Sequence, residues 1–420
     1  MSRPTLKNRA AHLLAVAVLV ALTIAAYARF VSAGFAATDS LPLIETSRIQ
    51  SLSDAGLLFS RPVMAGTRFA LGEVVYRPFV SVTFGLDYAV WGLDARGFHI
   101  TNLCLHLLGV LGIWFLLTKL GLRNWSATAG AALFALHPLV VASVPVIARR
   151  DSVAPVTAFV GGTCLLLVAE QSTGQRRARF GLGSLALIGV ALLSKESAFA
   201  ALLMLPMLFL AGLLARGDGL RAALRQTSLL LPFLLLAVGV FGTRMLVLRG
   251  LGGPDSASDL LFLDRDRYSQ ILGAFTRELG WTFAWIAPST REIWPRLAAA
   301  CLAGLALTLP WLPRRHAILA AAGVVWVAGF AIFCMALKIA TIAWLAYFSL
   351  VGVALVFAAG LEGAVSGIWT PVLRRGLLGW APPATATVLL LGLGLYALTA
   401  LSASPLVRAY DQWQIAGDVT

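Results

Sequence analysis

The sequence predicts an all-α integral membrane protein that crosses the bilayer about eleven times. Three observations lead there. Only 12% of the residues are charged, against roughly 25% in soluble domains. Hydrophobic residues make up 59%, with a mean hydropathy of +0.85. Apolar runs of spanning length recur along the whole chain, separated by polar links. Such a chain buries a large core only with lipid around it, so disorder, a disulfide-stapled secreted scaffold and collagen-like repeats are excluded.

In chain order, the first run, 13–33, follows Arg3, Lys7 and Arg9, which hold the N-terminus on the cytoplasmic side. The small residues at 31–37 also suit a signal peptidase, but an uncleaved first span keeps the later charge pattern coherent. Segment 34–97 is too polar to cross and reads as a first extracytoplasmic loop. Within it, 79–91 is expected to be an amphipathic helix lying on the membrane surface, with Tyr88 and Trp91 in the headgroup zone. Spans follow at 98–118, 125–143, 152–170, 180–194, 197–215 and 228–248. A second large loop occupies 249–295. Its stretch 268–287 carries Arg277 and Glu278 at its centre, so it reads as an interfacial or re-entrant helix. Runs at 296–312, 317–337, 344–361 and 383–401 complete a transmembrane domain over 1–401. The tail 402–420, with Trp413, suits the outer membrane surface or a partner subunit.

The formal charge of +14 would suggest nucleic acid in a soluble protein, but here it is topological. With these spans, the cytoplasmic segments and their borders hold 15 Lys+Arg and 3 acids, leaving 18 and 16 outside. The excess lies inside, as the positive-inside rule requires; counting 268–287 as a span would reverse it at Arg314, Arg315, Arg374 and Arg375. Cys104, Cys164, Cys301 and Cys334 lie in apolar runs without metal-ligand spacing and read as buried small hydrophobes.

This topology collects the unusual polar residues at the outer helix ends. Asp39 follows the first span, Tyr76 and Arg77 precede the surface helix, and His137 closes the third span. Arg149, Arg150 and Asp151 open the fourth, Lys195 and Glu196 link the fifth and sixth, and Arg244 lies near the outer end of the seventh. His99, Asn102 and His106 share one face of the second span. An outward cavity lined by carboxylates and cations suits a lipid-linked phosphate and a proton-accepting step. Each residue also has a plainer reading. His106 serves as interhelical glue, the arginines as headgroup anchors, Lys195 and Glu196 as a capping ion pair, and Asp39 as an ordinary loop aspartate. A Rossmann fingerprint, a P-loop and a nucleophile elbow are absent.

The run Tyr76-Arg-Pro-Phe-Val-Ser-Val-Thr-Phe-Gly-Leu-Asp-Tyr-Ala-Val-Trp-Gly-Leu-Asp-Ala-Arg-Gly-Phe-His-Ile-Thr-Asn-Leu-Cys-Leu-His106 resembles the multi-spanning C-type (GT-C) glycosyltransferases, close to protein O-mannosyltransferases and their tetratricopeptide-linked relatives. The similarity continues through Phe134-Ala-Leu-His-Pro138, Arg149-Arg-Asp151 and Leu193-Ser-Lys-Glu-Ser197, covering the first half well and the second half only in hydropathy. The resemblance implies a polyprenyl-phosphate-sugar donor, a mannose-like hexose, an extracytoplasmic protein or glycan acceptor, and inversion by single displacement. It also implies an acidic pair after the first span that holds the general base. Here the pair is Thr38-Asp39, so Asp39 is the candidate base, with Arg77, Arg149, Arg150, Lys195 and Arg244 as candidates for the donor phosphate. Tyr76, His99, Asn102, His106, His137, Asp151 and Glu196 are expected to line or support the cavity.

Other departures from the family are Val140 and Ala142 after His137-Pro138, and Ala343-Trp344 where relatives carry Glu-Arg. No cofactor is indicated, and a divalent metal is left open without ligands to support it. The rivals are a lipid-glycan carrier or flippase and a catalytically silent scaffold of the same fold. The Ala-, Leu- and Arg-rich composition suggests a bacterial inner membrane with the site facing the periplasm.

Overall fold

The computed structural model describes residues 6–35, 39–67, 75–250, 312–336 and 347–366, and every regular element among them is helical. Helix α1 (Leu6–Tyr27) leads into a loop region carrying α2 (Ser40–Thr46), α3 (Leu52–Leu58) and α4 (Pro78–Trp91). There follow α5 (Ala95–Lys119), α6 (Asn124–Leu136), α7 (Arg150–Glu170), α8 (Gly174–Leu192), α9 (Ser197–Ala215), α10 (Leu220–Gln226), α11 (Leu231–Leu248), α12 (Arg314–Ala336) and α13 (Ser349–Ala364). Among the described residues, 6 helical segments are long and apolar enough to cross a membrane. Thr38, the loop from 251 onward with its helix at 268–287, the run 383–401, the tail 402–420, Cys301 and Ala343-Trp344 lie outside the described residues, as does all but the last residue of the run 296–312.

Two boundaries differ from expectation for local reasons. The run 125–143 is not one helix. Pro138 disfavours a helical residue before it, so His137 turns extended at ψ 134°. Helix α6 therefore stops after 13 residues, and a 3-10 turn follows at Pro138–Ala142. Helix α8, expected from 180, starts at Gly174 and carries Arg176, Arg177 and Arg179 exposed in its first turns. Long basic side chains reach water from a helix end at little cost, so the arginines do not stop the helix. Cys104 is exposed on the outside of the bundle rather than buried, unlike Cys164.

Helix α7 is the central strut, packed against α5 and α8 with both Phe159 and Cys164 buried. Its Phe159 meets Trp326 of α12 and Phe348, and Phe330 stacks on Phe348 at 5.2 Å. Gly323 and Gly352 let α12 and α13 approach closely; a Cβ on either would lie 2.7 Å from the other's carbonyl oxygen. In mid-bundle, His106 Nε2 and the Tyr27 hydroxyl both lie 3.1 Å from the Ala135 carbonyl. His106 Nδ1 lies 2.6 Å from the Tyr347 hydroxyl. Donation from Nε2 and acceptance at Nδ1 satisfy all four groups with one neutral tautomer. His106 thus joins helices in mid-bundle.

The far end of the bundle is held by a carboxylate that the sequence reading passed over. Glu362, 1% exposed, accepts from the Arg123 backbone N–H at 2.7 Å and from the Ser126 hydroxyl at 2.6 Å. It also receives Arg315 at 2.6 Å. Arg123 is the N-cap of α6 and makes no cap of its own, so Glu362 caps α6 from α13 and meets the positive end of its dipole. Glu362→Ala is expected to cost about 1–3 kcal/mol, read as a lower melting temperature in detergent, because it leaves buried donors unpaired. Glu362→Gln, which keeps an acceptor oxygen, should cost less.

Candidate active site

Alternation of the helices brings the ends of α8 and α11 and the starts of α4, α7 and α9 to one end of the bundle, opposite Glu362. Pro78 at the first position of α4 has no N–H to lose and fixes the helix start. The Phe79 N–H donates to the Leu193 carbonyl at 3.3 Å, which pins α4 to the α8–α9 link. Arg77, just outside the helix, is thereby aimed across that link.

Arg77 Nη1 donates to Asp151 Oδ2 at 2.6 Å, while its Nε and Nη2 donate to Glu196 Oε2 at 3.1 and 2.8 Å. Lys195 Nζ lies 3.2 Å from Asp151 Oδ2 and donates to the Ser152 hydroxyl at 2.7 Å. Arg244, from α11, donates to Glu196 Oε1 at 2.7 Å. Three cations and two carboxylates from four parts of the chain thus form one cluster. It is graded in depth. The side chains of Asp151 and Lys195 are 6% and 5% exposed, whereas Arg77 and Glu196 are 20% and 25% exposed.

Burial pulls the Lys195 ammonium down to about 8, against the upward pull of Asp151. For Glu196, burial alone would raise the carboxyl, but Arg77 and Arg244 outweigh it and hold it at about 2. Both groups are therefore charged at neutral pH.

A second pair adjoins the cluster. Arg149 Nη2 lies 3.8 Å from Asp39 Oδ2, and both side chains are about one-quarter exposed, at 26% and 24%. Aspartate is a favoured N-cap, yet Asp39 precedes α2 without capping it. Its carboxylate faces Arg149. The backbone carries Arg149 and Asp151 on either side of Arg150, and so joins the pair to the cluster.

Arg150 has a different place from the one expected. It is wholly buried, and all five of its N–H groups find partners within the protein. Nε donates to Asn102 Oδ1 at 2.7 Å; Nη1 reaches the carbonyl and hydroxyl of Thr83; Nη2 meets Asp87 Oδ2 and the Phe98 carbonyl. Phe84 lies beneath its guanidinium at 4.5 Å. Nothing is left for a phosphate, so Arg150 positions its neighbours.

Asn102 belongs to the same clamp, since its amide also donates to the Val144 and Val146 carbonyls. Tyr76 is buried and donates to the Phe59 carbonyl at 2.9 Å, closing the loop over α3. His137, also buried, accepts from the Leu139 N–H and starts the 3-10 turn. His99 Nε2 lies 3.2 Å from the Gly34 carbonyl and holds the chain leaving α1. These four residues thus hold the chain around the cluster in place.

Sequence reasoning missed Asp87, Thr83 and Ser152. A signal for Asp87 was present: it falls on the same face of α4 as Val80 and Phe84, where a carboxylate demands a buried partner. Among the described residues no group of three His, Cys, Asp or Glu side chains gathers to hold a metal, and the cluster's two carboxylates already face cations.

No protein-family model matches the chain, and no curated protein matches it. Solved structures do. ArnT from Cupriavidus metallidurans bound to undecaprenyl phosphate is 16% identical at a TM-score of 0.49, over 96% of this chain and 75% of that one. The archaeal oligosaccharyltransferase AglB from Archaeoglobus fulgidus, in complex with an inhibitory peptide and a dolichol-phosphate, is 13% identical at 0.50, over 96% and 59%. The Archaeoglobus fulgidus oligosaccharyltransferase tethered to an acceptor peptide containing the NVT sequon is 15% identical at 0.52, over 96% and 58%. This chain spans less than two thirds of the archaeal enzyme's length, and at these identities the likeness is one of fold. The chain has the polytopic fold of the GT-C membrane glycosyltransferases.

Proposed function

We propose that the protein moves one sugar, a mannose-like hexose, from a polyprenyl-phosphate carrier to a hydroxyl of an extracytoplasmic protein, glycan or lipid, with inversion. The observation that carries this reading is the cation-rich cluster at one end of the bundle. Arg77, Arg149, Lys195 and Arg244 gather there from four parts of the chain around Asp39, Asp151 and Glu196. A sugar phosphodiester supplies one negative charge, and guanidinium forks match its oxygens. The archaeal enzyme that shares the fold was solved with a dolichol-phosphate and with an acceptor peptide, which supports the same two ligand classes here.

In this reading Asp39 takes the acceptor hydroxyl proton as that oxygen bonds to the anomeric carbon. The bond from carbon to phosphate oxygen breaks, its electron pair stays on oxygen, and the lipid phosphate departs with a second negative charge. Arg77, Lys195 and Arg244 stabilise that developing charge, so no protein nucleophile is required. The charge bias of the loops supports a cytoplasmic N-terminus and a site on the extracytoplasmic face.

Sugar release by purified protein in lipid nanodiscs, from a panel of radiolabelled polyprenyl-phosphate sugars, tests the proposal. Turnover of at least one donor is expected. Tight donor binding without any turnover would instead favour the carrier or scaffold. The pH profile adds a further expectation. Lys195 carries its charge below about 8 and loses it above, so donor affinity should fall as pH rises through that value. In Lys195→Arg the charge persists, and whatever activity remains should lack this alkaline limb.

A further inference from the structure

The arginines at the end of the bundle opposite the cluster fall into two sets. Arg315 and Arg123 close on Glu362 at 2.6 and 3.9 Å, and Arg216, just after α9, closes on Glu170, at the end of α7, at 2.8 Å. Arg176, Arg177 and Arg179 of α8 and Arg221 and Arg225 of α10 are exposed instead, and none of the five pairs with a carboxylate among the described residues. Their own segments offer little to answer them. Over 170–179 and 216–226 the acids are Glu170, already taken, and Asp218. Helix α8 has no acid in its first turn, and Thr173 makes no side-chain cap. Three arginines therefore stand together at the positive end of a helix, where mutual repulsion and the helix dipole are both unfavourable to them.

The surroundings are those of a lipid headgroup layer rather than open water. Leu182 on α8 and Leu231, Leu234 and Leu235 on α11 are exposed and begin the apolar belt of the bundle. At about 1.5 Å of rise per residue, Arg179 lies about 4.5 Å from Leu182 along the helix axis, and a headgroup layer of about 5–8 Å flanks the hydrocarbon core. On α10, Leu220 and Leu224 are exposed beside Arg221 and Arg225, while Ala223 is buried. Leucine and arginine side by side fit the boundary between acyl chains and phosphates, with each arginine reaching outward on its apolar stem.

We propose that the exposed arginines of α8 and α10 form a docking surface for the headgroups of anionic phospholipids in the leaflet at that end of the bundle. Lipid phosphates there neutralise five charges that the protein itself leaves unanswered, and guanidinium forks match their oxygens. The interleaved leucines favour a bilayer lipid over a soluble acidic protein. The surface lies at the other end of the helices from Arg77, Lys195 and Arg244, and it stands independently of the transfer reaction.

The test uses the full chain in zwitterionic detergent with equal amounts of phosphatidylglycerol and phosphatidylcholine, and retained lipid is counted by native mass spectrometry. Phosphatidylglycerol should be retained over phosphatidylcholine by about tenfold or more, since each well-placed arginine is worth about fivefold. A variant combining Arg176→Gln, Arg177→Gln, Arg179→Gln, Arg221→Gln and Arg225→Gln should retain the two lipids within about twofold of each other. The ratio is taken within each protein, so it does not depend on how much of the variant folds. Melting gives a second readout. Without anionic lipid the variant should melt no lower than the native protein, because the repulsion at the start of α8 is relieved, and phosphatidylglycerol should raise the melting temperature of the native protein alone. Equal retention of the two lipids by the native protein, or an undiminished preference in the variant, would overturn the proposal. Tighter binding of soluble polyglutamate than of phosphatidylglycerol would assign the surface to an acidic protein and overturn it as well.

Discussion

Asp39→Asn is expected to lower sugar transfer by about 10²- to 10⁴-fold, the usual contribution of a positioned general base, while donor binding stays within a few-fold of native. The split follows from the geometry. Asp39 lies with Arg149, and the Arg77–Lys195–Arg244 group proposed to hold the donor phosphate is built from other elements. Removing one carboxylate beside Arg149 leaves those cations in place. Folding is a weak confounder, because Asp39 is part exposed and its side chain caps no helix. Asparagine keeps the size and a hydrogen-bonding oxygen but cannot take the proton. Paired measurements of donor binding and of transfer to acceptor in one preparation read the effect. Transfer at the native rate would remove Asp39 from the mechanism; loss of binding along with transfer would make it part of the donor site instead.

Much of the architecture could be read from hydropathy, because lipid imposes one rule on every residue of a span. The run 197–215 coincides with α9, and 98–118 lies within α5. Where the rule competes with a local one, the reading slips. Pro138 ends α6 early through backbone sterics, and the arginines of α8 enter a helix that a hydropathy window begins later. For the site, topology alone placed Arg77, Asp151, Lys195, Glu196 and Arg244 at one end, since charged residues near helix ends must find water or each other. Their pairing was not readable. Whether an arginine faces a ligand or a buried partner depends on what another element brings to it, and Arg149 and Arg150 are neighbours with opposite outcomes. One is part exposed beside Asp39. The other meets Asp87, 63 residues earlier in the chain. Glu362 escaped for the same reason, because its value lies in the α6 donors on which it closes.

That distinction between Arg149 and Arg150 yields the second large effect. Asp87→Ala is expected to destabilise the protein by about 3–5 kcal/mol, the cost of leaving a buried charge without its partner. Arg150 would keep Asn102, Thr83 and the Phe98 carbonyl, but none of these carries a compensating charge. The Thr101 hydroxyl, which donates to Asp87 Oδ1 at 2.8 Å, would lose its acceptor as well. The damage should reach the site by a definite route. Arg150 is the first residue of α7 and sits between Arg149 and Asp151, and the helix it anchors to, α4, begins beside Arg77. Loosening the clamp should therefore disturb both Arg149, the partner of Asp39, and the Asp151–Arg77 pair. Thermal melts of Asp87→Ala, Arg150→Met and the double variant separate the terms. Arg150→Met removes the buried charge and keeps much of the apolar stem over Phe84, so in the double variant no unpaired charge remains. It should melt above Asp87→Ala while transfer stays impaired in all three. A double variant no more stable than Asp87→Ala would mean that the carboxylate matters through Thr101 and packing, and that the Arg150 charge is tolerated without it.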